Sequence, residues 1–205
     1  MFKITKSNPP DYFEKAKRNV SRPLEHHAWE DHLHIDPIRK ELREYIVSKE
    51  QFSLCAYCEK WIDGTSKKSN IDHFKTRHLF PKLTLDYNNL LVSCNSHGRC
   101  SNYKDKNIGL ADYNKVINPV LDDPNDFFDY HMTGDIYPKH NLSPSDKERA
   151  ESTLDLFQLN HRGLIEERKK IFGQLKILIG QITREDVSKY LLGYKSFIEY
   201  IFATQ

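Results

Sequence analysis

Four cysteines, Cys55, Cys58, Cys94 and Cys100, fall within a 46-residue window, and the chain has no others. The first two, in CAYCE, are separated by two residues, the gap that lets both thiolates reach one tetrahedral zinc ion. The second two, in SCNSHGRC, are separated by five, wider than an ordinary knuckle. Thiols gathered so closely in an intracellular chain need an explanation other than disulfides. Three are open: a four-cysteine structural zinc, a site in which His97 replaces one sulfur, and a redox pair at Cys55 and Cys58. The four-cysteine zinc leads, because no thioredoxin-like alternation of strands and helices surrounds the redox pair. Four protein ligands leave no open coordination position. Such sites bind with about 10–16 kcal/mol, as much as a whole domain's stability, so the region is expected to collapse without its metal.

Between the cysteine pairs lie NIDHFKTR and DYNNLLVSC, and SNYK follows Cys100. In this order the segments resemble the HNH nucleases, whose core is a hairpin followed by a helix around one divalent metal ion, often braced by two cysteine pairs. The resemblance assigns Asp72-His73 to the acidic-His pair of the first strand. Asn89-Leu90 takes the place of the central Asn, five residues ahead of Cys94. Asn102 takes the helix position, with Lys104 close behind. The resemblance therefore implies His73, Asn89 and Asn102 as catalytic residues, and Asp72 and Asn102 as ligands of a catalytic Mg²⁺ or Mn²⁺. Lys75, Arg77 and Lys104 become candidates for phosphate contact. The wide second cysteine pair and Asn at the third position depart from the plainest HNH pattern.

The residue types suit phosphodiester hydrolysis. An attacking water must lose a proton, and an imidazole with a pKa near 6.5 can take it at neutral pH. Charge builds on the phosphate oxygens, where a hard cation on oxygen ligands stabilises it. Asn89 would orient the loop carrying His73. Each piece alone is weak: an Asp-His pair is more often a surface pair, and either Asn alone caps a turn or a helix. The joint order carries the reading. His26, His27, His32 and His34, in HHAWEDHLHID, read as solvated positions rather than a second metal site.

These residues must be positioned by an α+β, mostly helical chain, with the HNH-type ββα core and its zinc site embedded among helices. Three regions are expected: an N-terminal helical segment over 1–50, the metal core over 51–112, and connections and helices over 113–205 that join the core in one unit. Pro9 to Asn19 reads as a short helix, and Asp36-Pro37 opens another through about Lys49, with Ile38, Leu42, Tyr45 and Ile46 on one face. Asn114 to Asn141 reads as extended connections and turns. Ser143-Pro144 starts a helix carried on by Leu154 and Phe157. A second runs from about His161 to Ile182, and a third follows Thr183 through Val187, Leu191, Tyr194, Phe197, Ile198 and Ile201. The apolar stripes read as core, with a partner-docking face as the sharper alternative.

The composition, 38% hydrophobic and 29% charged with 11 Tyr and 11 Phe, is that of a folded globular protein. No run approaches the ~20 apolar residues of a membrane span, and MFKITKSNPPDYFEKAKRNV lacks the apolar segment of a secretory signal, so a cytoplasmic protein is expected. From Lys60 to Lys106 nine Lys/Arg face four Asp on a chain of net charge +2, a distribution suited to phosphates.

INPVLDDPNDFFDY, GDIYPK and TLDLFQLNHRGLIEERKKIF extend the resemblance to PtuB-type HNH proteins of Septu anti-phage systems and some retrons, from about Leu54 to Phe172. That family implies an ATPase partner, PtuA, and nucleic acid as substrate, DNA ahead of RNA. No Walker-type phosphate loop is present in this chain. Two other readings stay open: an RNA- or tRNA-cleaving effector of the same family, and a zinc-stapled nucleic-acid-binding module without catalysis.

Overall fold

In the computed structural model, which describes residues 1–178, 181, 183, 186, 187 and 192–204, the cysteine window folds around a short antiparallel hairpin. Strand β1 (Ser69–His73) pairs with β2 (Leu90–Cys94), placing Ser69 opposite Cys94, Asp72 opposite Leu91 and His73 opposite Leu90. Every residue of β2 is buried, and two helices pack against it. One is α2 (Arg39–Lys49), contributing Leu42, Ile46 and Val47; the other is α3 (Cys100–Asn107), the next helix after the hairpin. Gln51 ties the cysteine knuckle to the strand. Its amide donates to the carbonyls of Leu54 and Val92, and its Oε1 accepts from the Val92 amide, each at 2.8 Å.

Upstream, α1 (Asp11–Asn19) starts one residue after Pro10, and Asp36–Ile38 forms a 3-10 turn leading into α2. A second 3-10 turn, His26–Glu30, lies between them and buries Ala28 and Trp29. Downstream, the segment expected to be extended connections and turns contains a further hairpin, β3 (Phe128–Tyr130) with β4 (Ile136–Pro138). These strands have three residues each, too few to show a period in the sequence. Helix α4 (Pro144–Phe157) begins as its sequence suggests, with the Ser143 hydroxyl accepting from the Asp146 amide at 3.1 Å. It packs against α3 and β4, burying Ala150, Thr153 and Phe157.

Helix α5 (Arg162–Leu178) matches the described part of its expected span; Ile179 and Ile182 lie outside the described residues. The third expected helix is not continuous. Gly193, at φ +124°, bridges to Lys60, Tyr194 is left-handed, and α6 (Lys195–Ala203) starts afresh. Leu191, expected on the same stripe, lies outside the described residues. The fold is α+β with helices dominant, and one hydrophobic cluster runs from Met1 and Phe2 through the hairpin to Ile201. Among the described residues no helix is long and apolar enough to cross a membrane.

Candidate functional site

The knuckle carrying Cys55 and Cys58 closes as a tight turn. Leu54 bridges Trp61, the Cys55 amide donates to the Lys60 carbonyl at 2.8 Å, and Glu59 takes a positive φ of 60°. The Ala56 amide then donates to the Val92 carbonyl at 3.0 Å, which presses the knuckle against β2 and its terminal Cys94. Cys100 comes from the first residue of α3. All four sulfurs are buried and lie within 4.8 Å of one another, the one such group of metal-capable side chains among the described residues. Tetrahedral zinc with Zn–S near 2.3 Å sets sulfurs about 3.8 Å apart. The separations are 3.9 Å for Cys55–Cys100, 3.8 Å for Cys58–Cys94 and 3.8 Å for Cys94–Cys100. The five-residue gap therefore closes on the same centre, and His97, the alternative to one sulfur, is exposed and outside the group. Hydrogen bonds from Cys100, Cys55 and Cys58 pull Cys94 far below an ordinary thiol, while the same mutual contacts push Cys100 well above it. Sulfurs this close ionise together only around a cation.

Tyr57 stands between the two knuckle cysteines and connects this cluster to the hairpin. Its ring stacks on Phe157 at 4.2 Å, and its hydroxyl donates to Oδ2 of Asp72. Asp72 is buried and lines a cleft, with Lys104 of α3 as its second partner, Nζ to Oδ2 at 3.1 Å. Lys104 is 0% exposed and also donates to the carbonyls of His73 at 2.7 Å and Phe74 at 3.0 Å. Its ammonium thus fastens α3 to the end of β1 and is turned away from any phosphate in solvent. The phosphate contact expected of Lys104 is corrected accordingly: this cation is internal. Burial pushes the Asp72 carboxyl up to about 6 even against Lys104. Burial works on Lys104 in the opposite sense, but Asp72 and Asp105 outweigh it and leave its pKa raised.

His73, next along β1, is 7% exposed. Its Nε2 lies 2.9 Å from the Thr84 carbonyl. A carbonyl only accepts, so Nε2 carries the proton and Nδ1 keeps the lone pair. The edge of Trp29 packs on the ring at 4.8 Å, and Arg39 holds Trp29 through its carbonyl. Burial lowers His73 to about 3, with Arg77, Lys104 and Arg39 adding to the effect, so the imidazole is neutral at physiological pH. Asp72 and His73 share a cleft of about 480 Å³, lined also by Asn70, Arg77, Asp105 and, from the N-terminal turn, His26 and Trp29.

The remaining sequence candidates divide. Asn89 is buried and grips the loop after His73: its Oδ1 accepts from the Lys75 amide at 2.8 Å, and its Nδ2 donates to the carbonyls of Lys75 at 2.9 Å and Leu83 at 3.1 Å. Lys75 is half-buried with its ammonium 5.1 Å from the Phe80 ring. Arg77 lines the cleft, but its guanidinium donates to Glu30 and to the His26 carbonyl, both at 3.1 Å. Asn102 is not brought to the cleft. Its amide donates to the Ser96 carbonyl at 3.3 Å, bracing the loop between Cys94 and Cys100. Sequence reasoning missed Tyr57, Thr84, Trp29, Asn70 and Asp105; His26, read as a solvated position, is exposed and also lines the cleft. Only Tyr57 and Asp105 carried a signal, one inside CAYC and the other beside Lys104.

No protein-family model matches the chain. Among curated proteins it is similar to a Septu protein PtuB of Bacillus thuringiensis, 30% identical over 142 residues that make up 67% of this chain and 46% of that protein. It is also similar to a retron Vc95 putative HNH endonuclease of Vibrio cholerae serotype O1 biovar El Tor, 26% identical over 182 residues, 83% of this chain and 82% of that protein. A second Septu protein PtuB, of Bacillus mycoides (strain KBAB4), is 26% identical over 156 residues, 62% of this chain and 50% of that protein. The chain spans about half the length of the two PtuB relatives.

Proposed function

Because the chain is a homologue of proteins named Septu PtuB and of a putative retron HNH endonuclease, we propose that it is a metal-dependent endonuclease of the HNH type, the effector of a Septu- or retron-type anti-phage system. On this reading β1, β2 and α3 are the ββα core, and the four cysteines hold a structural zinc. The substrate is nucleic acid, with DNA ahead of RNA, and a PtuA-type ATPase is the partner.

One observation carries the proposal. The imidazole of His73 has its protonated nitrogen fixed on the Thr84 carbonyl and its free nitrogen in a cleft shared with the Asp72 carboxylate. Nδ1 takes the proton of the attacking water as its oxygen bonds to phosphorus and the bond to the leaving sugar oxygen breaks, that oxygen taking a proton from solvent. Nε2–H stays on Thr84, so the ring does not turn as charge develops on it. A dry imidazole with a pKa near 3 is a weak base alone. An anionic phosphate beside the ring raises its proton affinity by direct attraction. A hard divalent cation at Asp72, Mg²⁺ or Mn²⁺, would supply the positive charge that offsets the charge growing on the phosphate oxygens. The carboxylate fits such an ion, and Asn89 keeps the loop beside His73 in register.

The test is cleavage of DNA and of RNA by the zinc-loaded chain with Mg²⁺ or Mn²⁺, with and without the ATPase. His73→Ala should lose cutting while keeping zinc and fold; equal cutting by this variant removes His73 as base. One observation favours the second reading, a zinc-stapled binding module: the Lys104 ammonium already pairs with Asp72. That reading expects affinity for nucleic acid with no metal-dependent cutting.

A further inference from the structure

The side chain that closes on His73 comes from outside the hairpin and its helix. The 3-10 turn His26–Glu30 runs along the cleft, with His26, Trp29 and Glu30 in its wall. Trp29 sets its edge on the His73 ring at 4.8 Å, and the histidine is left 7% exposed. A base that must meet both a water molecule and a phosphodiester has no room under that indole. Cleavage therefore needs the turn to move.

Two arginines hold the turn, and they hold it differently. Arg39, on α2, donates to the Trp29 carbonyl and pairs with Asp36 at 2.7 Å, away from the cleft lining. Arg77, in the loop after β1, is the one Lys or Arg among the described residues that line the cleft. Both of its bonds to the turn leave from Nη1, at 3.1 Å to the His26 carbonyl and 3.1 Å to Oε1 of Glu30. Oε2 of Glu30 lies 3.1 Å from Nδ1 of His27. The Arg77 and Glu30 side chains are 30% and 51% exposed, and an ion pair so open to water adds little net stability. A phosphate oxygen offers the same guanidinium a comparable charge-assisted bond, and its charge repels the Glu30 carboxylate from that place.

We propose that Glu30 is an internal stand-in for substrate phosphate. It occupies Arg77 while Trp29 caps His73, and a nucleic-acid phosphate arriving at Arg77 displaces it and lifts the cap. The inference rests on the nuclease reading of this cleft. Arg39 keeps the Trp29 backbone on α2, so exchange at Arg77 frees only the cleft end of the turn. The base is unmasked when a polyanion is seated beside it.

The experiment uses the zinc-loaded full chain carrying Trp61→Phe, which leaves Trp29 as its one tryptophan. Acrylamide quenching of Trp29 is followed as a short DNA or RNA oligonucleotide is added without a divalent cation. Affinity is read from the anisotropy of a labelled oligonucleotide. This reference chain is compared with Glu30→Ala, Arg77→Ala, their double variant and Glu25→Ala at equal zinc content and thermal midpoint. Glu25 is also 51% exposed and pairs with Arg22, so its removal controls for the loss of one negative charge.

Oligonucleotide should raise Trp29 quenching in the reference chain. Glu30→Ala should show raised quenching beforehand and bind about two- to fivefold more tightly, the range over which an exposed ion pair competes. Arg77→Ala should combine raised quenching with weaker binding, and Glu30→Ala should add nothing to it in the double variant. The proposal is overturned by no oligonucleotide binding, by Trp29 quenching that binding leaves unchanged, by an equal gain in Glu25→Ala, or by a Glu30→Ala gain that persists without Arg77. Cleavage with Mg²⁺ is scored in parallel. Oligonucleotide-driven exposure of Trp29 without any cutting upholds the cap and removes the nuclease reading. Cutting with Trp29 unmoved removes the cap and leaves the nuclease reading standing.

Discussion

The hydroxyl of Tyr57 donates a hydrogen bond to the Asp72 carboxylate, and Tyr57 stands between Cys55 and Cys58. The sulfur cluster and the cleft are therefore joined through one phenol, buried against Phe157. Whatever distorts the knuckle moves the hydrogen bond that holds Asp72.

Tyr57→Phe removes that bond without opening a cavity. It leaves a buried carboxylate with one partner fewer, a change worth about 1–3 kcal/mol. The expected outcome is a lower urea midpoint at unchanged zinc content, with metal-dependent cleavage reduced. An unaltered midpoint would mean that Tyr57 contributes nothing to holding Asp72.

Removing the metal from the cysteine cluster should cost far more. Four buried sulfurs at 3.8–3.9 Å separations are mutually unfavourable once ionised without a cation. Chelation, or Cys58→Ser, is expected to abolish the cooperative thermal transition, because about 10–16 kcal/mol of metal binding is coupled to folding in such sites. Zinc at one equivalent per chain, measured by elemental analysis, checks the premise. A chelated chain that melts like the parent would exclude a structural metal.

Asn89→Ala should separate positioning from chemistry. It removes three hydrogen bonds and leaves the Lys75 amide and two carbonyls without those partners. The expected loss is about 2–4 kcal/mol of stability, read by urea denaturation, given about 1 kcal/mol for each bond and more for groups left buried. The pH dependence of any cleavage should keep its shape, since His73 itself is untouched. A shifted profile would give Asn89 a part in proton transfer.

Stability against pH tests the burial of the cleft pair. His73 falls from 6.5 to about 3 on folding, so between those values the unfolded chain binds the extra proton and acid destabilises the fold. Asp72 rises from 3.8 to about 6, so the folded chain binds the extra proton over that interval and its contribution declines as pH climbs through 6. The two slopes oppose each other. His73→Gln removes the first and leaves the second, so relative to the parent it should gain stability as pH falls below 6.5, by up to ~1.4 kcal/mol per pH unit. Denaturant curves above the pH at which the cysteines release zinc provide the check. Parallel curves for parent and variant would mean that His73 is not held neutral.

The sequence by itself determined the cysteine set, the Asp72-His73 pair and the starts of several helices. Each depends on spacing or capping among residues close in the chain: two residues between Cys55 and Cys58, adjacency at 72 and 73, Ser143 ahead of Pro144. Only the tertiary structure decided where the side chains point. Lys104 turns inward because two backbone carbonyls and Asp72 meet it there, and Asn102 turns to Ser96 because helix α3 begins at the zinc loop. Trp29 and His26 reach the cleft from a turn far from it in sequence, which no local pattern encodes. The break at Gly193 and Tyr194 follows from the bridge to Lys60, although the apolar stripe continues across it. Spacing fixes which groups can share a centre; the direction of a side chain on a short helix is set by the partners that packing brings to it.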